Sequence, residues 1–310
     1  MTTESGPGNG RSDPSLSVII SERRQLTDLG YRLLGSLADA EDAVRETYAR
    51  WYAMPREDQD AVASPGTWLT TVLSRICLDL LDSARARRAS YVGEWIPEPL
   101  PQQAEWSAAP PGGTGTDPAD RVTLDESVSM AFLVVLDAMT PAERVAFVLH
   151  DLFRFSFAEV AEIVGPTPAA CQELASAARH RIRNSRASTA PKAQQADIVR
   201  EFRQVWLAKD IDGLIALLDP DAMVTTDSGG LATAADRPVE GGEQIARACV
   251  ELAERAPLTI VERTVNGQPG LVSRHAGTTV AVLAFDIAGG RIKHIWAILN
   301  PEKLRSWTPN

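Results

Sequence analysis

The 310-residue chain has little cysteine and little histidine, and what it has is scattered. Cys77, Cys171 and Cys249 are far apart and form no C-x-x-C pair, which argues against a disulfide framework or a structural zinc site. His150, His180, His275 and His294 show no H-E-x-x-H spacing. No metal and no cofactor is therefore expected. No apolar run reaches membrane-spanning length, and residues 1–15, rich in Gly, Ser, Thr and Pro, lack the apolar centre of a signal peptide. A cytoplasmic protein that does not enter a membrane is expected. A basic surplus is missing too. The net charge is −10, with 18 basic and 26 acidic residues before Ser188 and 13 and 15 after it. A protein that coats nucleic acid unaided is thereby disfavoured, so any DNA contact must rest on local basic clusters and a helper.

Four segments differ in composition. Residues 15–90 carry helical apolar stripes, Leu26-Leu29-Leu33-Leu34 and Ala43-Val44-Tyr48-Trp51. Ser64-Pro65 opens a further helix whose apolar face is Trp68, Leu69, Val72, Leu73, Ile76 and Leu80, with Arg85, Arg87 and Arg88 at its end. Residues 91–120 hold a stretch rich in Pro, Gly and Trp and read as a linker.

Residues 121–186 are helical again. Capping boxes start at Thr123, Thr140 and Ser156, each with Glu three positions on. The Ser156 helix ends at Gly165, and Thr167-Pro168 opens another: a helix, a short turn and a second helix. On that second helix Ala170, Leu174, Ala177 and Ala178 form a small face for packing. The opposite face offers Thr167, Ala169, Gln172, Glu173, Ser176, Arg179, His180 and Arg183 to a DNA groove. An ordinary helical hairpin accounts for the same pattern.

Residues 193–305 shift to one or two helices, a strand at 224–226, a turn at Asp227-Ser228-Gly229-Gly230, a helix at 243–254, and strands at 258–265, 270–273, 278–286 and 291–299. Gly289-Gly290 reads as a hairpin turn. The expected fold is multi-domain: two all-α domains, the second with a helix-turn-helix, and a C-terminal α+β domain whose curved sheet wraps over helices.

These residues resemble a known family. Tyr31-Arg32-Leu33-Leu34-Gly35-Ser36, Asp39-Ala40-Glu41-Asp42-Ala43-Val44 and Trp51 are similar to the first conserved region of extracytoplasmic-function sigma factors. Residues 68–79 resemble the segment that reads the minus-ten promoter element, and residues 144–183 the region that reads the minus-thirty-five element. Trp95-Ile96-Pro97-Glu98-Pro99-Leu100 and Asn300-Pro301-Glu302-Lys303-Leu304 resemble motifs of the subgroup with a fused SnoaL-like (nuclear-transport-factor-like) domain. Arg45 stands where the family usually has Gln, and Leu231 where a glycine-rich motif usually ends in Lys.

The resemblance implies two partners, core RNA polymerase and promoter DNA. Asp39, Glu41, Asp42 and Glu46 would be the docking face, although a solvated helix face explains the same charges. Thr71, Ser74, Arg75, Arg85, Arg87 and Arg88 would serve minus-ten reading, with Trp68 more at home in the core. Cis regulation by the fused domain is also implied, through Trp95, Pro97, Glu98, Pro99, Asp227, Asn300, Pro301 and Lys303. No separate anti-sigma protein and no particular small-molecule ligand is indicated. Asp227 and His294 are the acid–base candidates of a rival reading, a SnoaL-like hydrolase or isomerase with a DNA-binding appendage. A one-component regulator that senses a ligand is the third reading.

Overall fold

Four helices open the chain in the computed structural model, which describes residues 14–88, 93–101, 128–165, 167–185, 191–230, 237–255 and 257–308, with backbone alone at 14–21 and 84–88. They are α1 (Pro14–Leu34), α2 (Leu37–Ala53), α3 (Arg56–Ala61) and α4 (Pro65–Arg88). Gly35 ends α1 with φ +69, a left-handed position where glycine avoids the cost of a side chain, and its N–H returns to Tyr31 O at 2.7 Å. Ser36 then caps α2 by accepting from Asp39 N. The expected stripes face inward: Leu26, Leu29, Leu33, Ala43, Val44, Leu69, Leu73 and Ile76 are all buried.

A second helical group follows: α5 (Met130–Asp137), α6 (Pro141–Phe147), α7 (Phe157–Val164) and α8 (Pro168–Ser185). The capping boxes at Thr140–Glu143 and Ser156–Glu159 are both formed. The two hydrogen bonds from Ser156 hold the Glu159 carboxyl below its ordinary range. The Thr123 box lies outside the described residues. Between α6 and α7 the chain makes a π-helix, Val148–Leu152, closed by Phe153 N to Val148 O at 3.1 Å. Both helical groups share one apolar core, from Leu26 on α1 to Ile182 on α8. Arg144, 3% exposed, crosses between them: it donates to Leu33 O at 2.8 Å and to Asp137 at 2.8 Å.

The C-terminal part has the expected α+β composition. Helices α9 (Lys192–Ala208), α10 (Ile211–Leu217) and α11 (Gly242–Arg255) pack on a sheet of β1 (Leu218–Asp227), β2 (Val239–Glu240), β3 (Thr259–Val265), β4 (Gln268–His275), β5 (Thr278–Ala288) and β6 (Arg291–Ile298). The strand order is β2-β1-β6-β5-β4-β3. Strands β3 to β6 form the expected meander, and β1 joins it parallel to β6. Gly289 and Gly290, at φ +60 and +76, make the tight turn between β5 and β6. Alternation along the strands gives the sheet two apolar faces. One, with Leu271, Phe285 and Ile295, meets the helices. The other, with Val272, Val282, Trp296 and Ile298, is covered by Ile96, Met130, Leu304 and Trp307. The fused domain is thus seated on the helical part through the linker, the tail and α5.

Candidate nucleic-acid interface

Helix α4 carries the minus-ten candidates. Ser64 caps it, accepting from Thr67 N at 3.4 Å. Trp68 lies edge-on to Trp51 with ring centroids 5.1 Å apart and packs on the core, as its place on the apolar stripe implied. Thr71 is half-buried, and Ser74 is fully buried with no hydrogen-bond partner for its hydroxyl. Arg75 is exposed, yet its guanidinium donates to Glu162 O on α7 at 2.7 Å. Helix α4 is thus latched to α7, the first helix of the helix-turn-helix, with Ser74 turned inward. The side chains of Arg85, Arg87 and Arg88 lie outside the described residues.

Helix α8 is more open. Thr167 caps it, accepting from Ala170 N at 3.1 Å. Its buried stripe is Cys171, Ala175, Ala178 and Ile182. Of the expected packing face, Ala178 is buried and Leu174 packs half-buried on the core, whereas Ala170 flanks the stripe and Ala177 is exposed. Spacings of four, three and four place the true stripe on one side of a straight helix. Thr167, Ala169, Gln172, Glu173, Ser176, His180 and Arg183 are exposed together. Arg179 is half-buried and bound in a fork to Asp151 at 2.7 and 3.1 Å. That fork orients it from behind and reduces its freedom to reach a base.

On α2, Asp39, Glu41, Asp42 and Glu46 are all exposed. Arg45 pairs with Asp42 and Arg50 with Glu46, so half of this acidic face is already neutralised from within its own helix.

The eight linker and tail residues fall into two joined clusters. Asp227 Oδ2 accepts from Ile96 N at 3.0 Å and from Lys303 Nζ at 2.6 Å, and Oδ1 accepts from Gly229 N at 3.1 Å. Lys303 also donates to Ile96 O and lies 4.2 Å from the Trp95 ring centroid. Asn300 builds the turn that aims Lys303: its side chain accepts from Glu302 N and its carbonyl from Lys303 N, both at 3.0 Å, while Pro301 O accepts from Leu304 N at 3.3 Å. Gly229 is needed beside it, because a Cβ there would stand 2.7 Å from the Asn300 amide.

The other cluster faces α1 and α2. Glu98 Oε2 accepts from Leu37 N at 2.8 Å at the start of α2, and burial pushes its carboxyl above the ordinary range. A Cβ on Gly35 would meet Trp95 at 2.8 Å and Pro97 at 3.5 Å. Pro99 O accepts from Trp307 Nε1 at 2.8 Å. Three participants were missed by sequence reasoning: Tyr31, Asn266 and Trp307. The Asn266-Gly267 pair, a tight-turn signal, could have drawn attention to the first hairpin of the sheet.

Asp227 and His294 do not meet. In the parallel β1–β6 ladder Asp227 pairs with Ile298 and His294 with Met223, four residues or roughly 13 Å apart along the strand. His294 bonds Thr225 at 2.8 Å and stacks on Trp296 at 4.5 Å, and burial lowers its pKa to about 4. Among the described residues no cluster of His, Cys, Asp and Glu could hold a metal, and no helix is long and apolar enough to cross a membrane.

The comparisons agree with this layout. Sigma-70 region 2 matches residues 18–87 and sigma-70 region 4 matches residues 129–182. The extracytoplasmic-function RNA polymerase sigma factor SigJ of Mycobacterium tuberculosis is 36% identical over 295 residues, covering 91% of this chain and 90% of the relative. The probable sigma factor SigI of the same species is 32% identical over 293 residues, covering 94% and 95%. The crystal structure of SigJ superposes with a TM-score of 0.70 at 31% identity, over 94% of this chain and 98% of that one. Two sigma-70 regions in order, with a relative matched through the fused domain as well, place the chain among the extracytoplasmic-function sigma factors.

Proposed function

We propose that the chain is the promoter-reading subunit of RNA polymerase, and that its fused domain regulates it in cis without catalysis. Core polymerase docks on the acidic face of α2, at Asp39, Glu41, Asp42 and Glu46, and supplies the nonspecific affinity that the net charge of −10 denies the free chain. Helix α8 reads the minus-thirty-five element through Gln172, Glu173, Ser176, His180 and Arg183, with Thr167, Ala169 and Arg179 beside them. Helix α4 reads the minus-ten element through Thr71, Ser74 and Arg75, and Arg85, Arg87 and Arg88 hold the DNA backbone.

The observation that carries the reading is the unequal state of the two readers: α8 presents its polar face, whereas Arg75 is bound to Glu162 O and Ser74 is buried. Minus-ten reading therefore requires α4 to part from α7. The fused domain bears on that step because Trp95, Pro97, Glu98, Pro99, Asp227, Asn300, Pro301 and Lys303 join the linker to the tail. Asp227 is used as a structural acceptor for Lys303 and the linker, which supports a regulatory reading over an acid–base one.

The test is transcription by core polymerase from promoters that differ only upstream. Gln172→Ala should lose about 1–3 kcal/mol of discrimination at the minus-thirty-five element. Lys303→Ala should change output at all promoters alike. Unchanged output in both would remove the assignment.

A further inference from the structure

Residues 95–101 read Trp-Ile-Pro-Glu-Pro-Leu-Pro. Proline lacks an N–H, so Ile96, Glu98 and Leu100 hold the only amide donors between positions 96 and 101. These three are divided between two bodies. Ile96 donates to Asp227 and Leu100 donates to Asn266 Oδ1 at 2.9 Å, both on the fused domain. Glu98 donates to Gly35 O at 2.8 Å, at the end of α1. The carbonyls are divided in the same way: Leu100 O accepts from Asn266 N at 2.9 Å, and Glu98 O accepts from Tyr31 OH at 2.7 Å.

Asn266 closes the circuit. It sits with Gly267 in the β3–β4 turn at φ +50 and +73. Its backbone N–H and Oδ1 together hold Leu100 as a strand partner would, and its Nδ2 donates to Tyr31 OH at 2.7 Å. Asn266 is 3% exposed and Tyr31 is fully buried. The linker, α1 and the fused sheet therefore meet in one water-excluded chain of hydrogen bonds.

We propose that Asn266 is the coupling residue of this junction, so that release of the linker from α1 and release of the fused domain from the linker are a single all-or-none event. A half-open form that kept Asn266 on the linker but lost Tyr31, or the reverse, would strand a buried donor or acceptor. One such group disfavours a state by roughly 5- to 150-fold, and the half-open form strands more than one. For its consequence in transcription this inference rests on the cis regulation proposed above.

Hydrogen exchange of the full-length chain, read by mass spectrometry without polymerase, tests it. The amides of Leu37, Ile96, Glu98 and Leu100 should open together in the parent. Asn266→Ala should speed all four by a similar factor, of the order of tenfold, while β5 and β6 stay protected. Faster exchange at Leu100 alone, with Glu98 and Leu37 unchanged, overturns the coupling. Tyr31→Phe keeps the buried ring and removes the hydroxyl, so it asks the same question should Asn266→Ala fail to fold: joint deprotection supports the coupling and a local effect overturns it. Transcription separates the two layers. If exchange in Asn266→Ala is local while Lys303→Ala shifts output, the coupling is wrong and cis regulation stands. If exchange is joint but neither variant shifts output, the coupling stands and cis regulation is wrong.

Discussion

The first helical group makes two contacts of opposite construction. Toward α5–α8 it offers apolar side chains, which merge with theirs into one core, plus two arginine latches, Arg144 to Leu33 O and Arg75 to Glu162 O. Toward the fused domain it offers mostly main-chain groups: Gly35 O and Leu37 N, met by the linker's own backbone and by Glu98. The first contact draws its strength from buried area, which falls gradually as surfaces part. The second draws it from paired polar groups, which are costly to leave half paired. The molecule thus has one graded seam and one abrupt seam.

The largest effect should come from the graded seam. Arg144→Met removes the charged donor that binds Leu33 O and the half-buried Asp137, and should lower stability by about 2–3 kcal/mol in urea unfolding. A loss below about 1 kcal/mol would show that the apolar core alone joins the two helical groups.

Next is the abrupt seam. Gly35→Ala introduces a Cβ at φ +69 and only 2.8 Å from Trp95, a strain of about 1–2 kcal/mol before the indole is displaced. Linker cleavage by a protease should accelerate while α9–α11 resist. Uniform destabilisation of the whole chain would contradict a localised seam.

Arg75→Gln removes one exposed latch and should favour the parted form of α4 and α7 by about 1 kcal/mol, roughly fivefold. Electron-spin distance measurements between labels on the two helices would report it as a larger long-distance population. An unchanged distribution would mean that the Arg75 bond follows the packing and does not sustain it.

The smallest effect is a slope. Burial raises the Glu98 carboxyl in the joined state, so that state holds the proton more tightly than the released one. The seam should therefore tighten as pH falls through the raised value toward the ordinary carboxylate range, and exchange at Ile96 should slow beyond its intrinsic pH dependence. Glu98→Gln should abolish that slope. The pKa of His294 is lowered, so it acts in the opposite sense on the stability of the fused domain, which weakens as pH falls from about 6.5 to 4. Comparison of variant with parent at each pH removes this background.

The same division explains what was legible in the sequence. Caps and stripes are local, so Ser64, Thr140, Ser156 and the stripe through Leu26, Leu29 and Leu33 could be placed from spacing alone. On α8, alanines on both sides blurred the periodicity, and Cys171 and Ala175 were needed to find the buried line. The π-turn at Val148–Leu152 has no composition of its own. The roles of Tyr31 and Asn266 were invisible because their bond joins positions 235 residues apart. The resemblance grouped Asp227 with Lys303, but their direct bond spans 76 residues, so spacing alone left an acid–base role for Asp227 open.

The central claim is that this chain redirects RNA polymerase. Run-off transcription with purified core enzyme on genomic DNA, with start sites mapped, tests it most directly. The account predicts new starts that share an upstream and a downstream element and that vanish when Gln172 and Arg75 are both replaced. A chain that fails to bind core enzyme and leaves its start sites unchanged would contradict it.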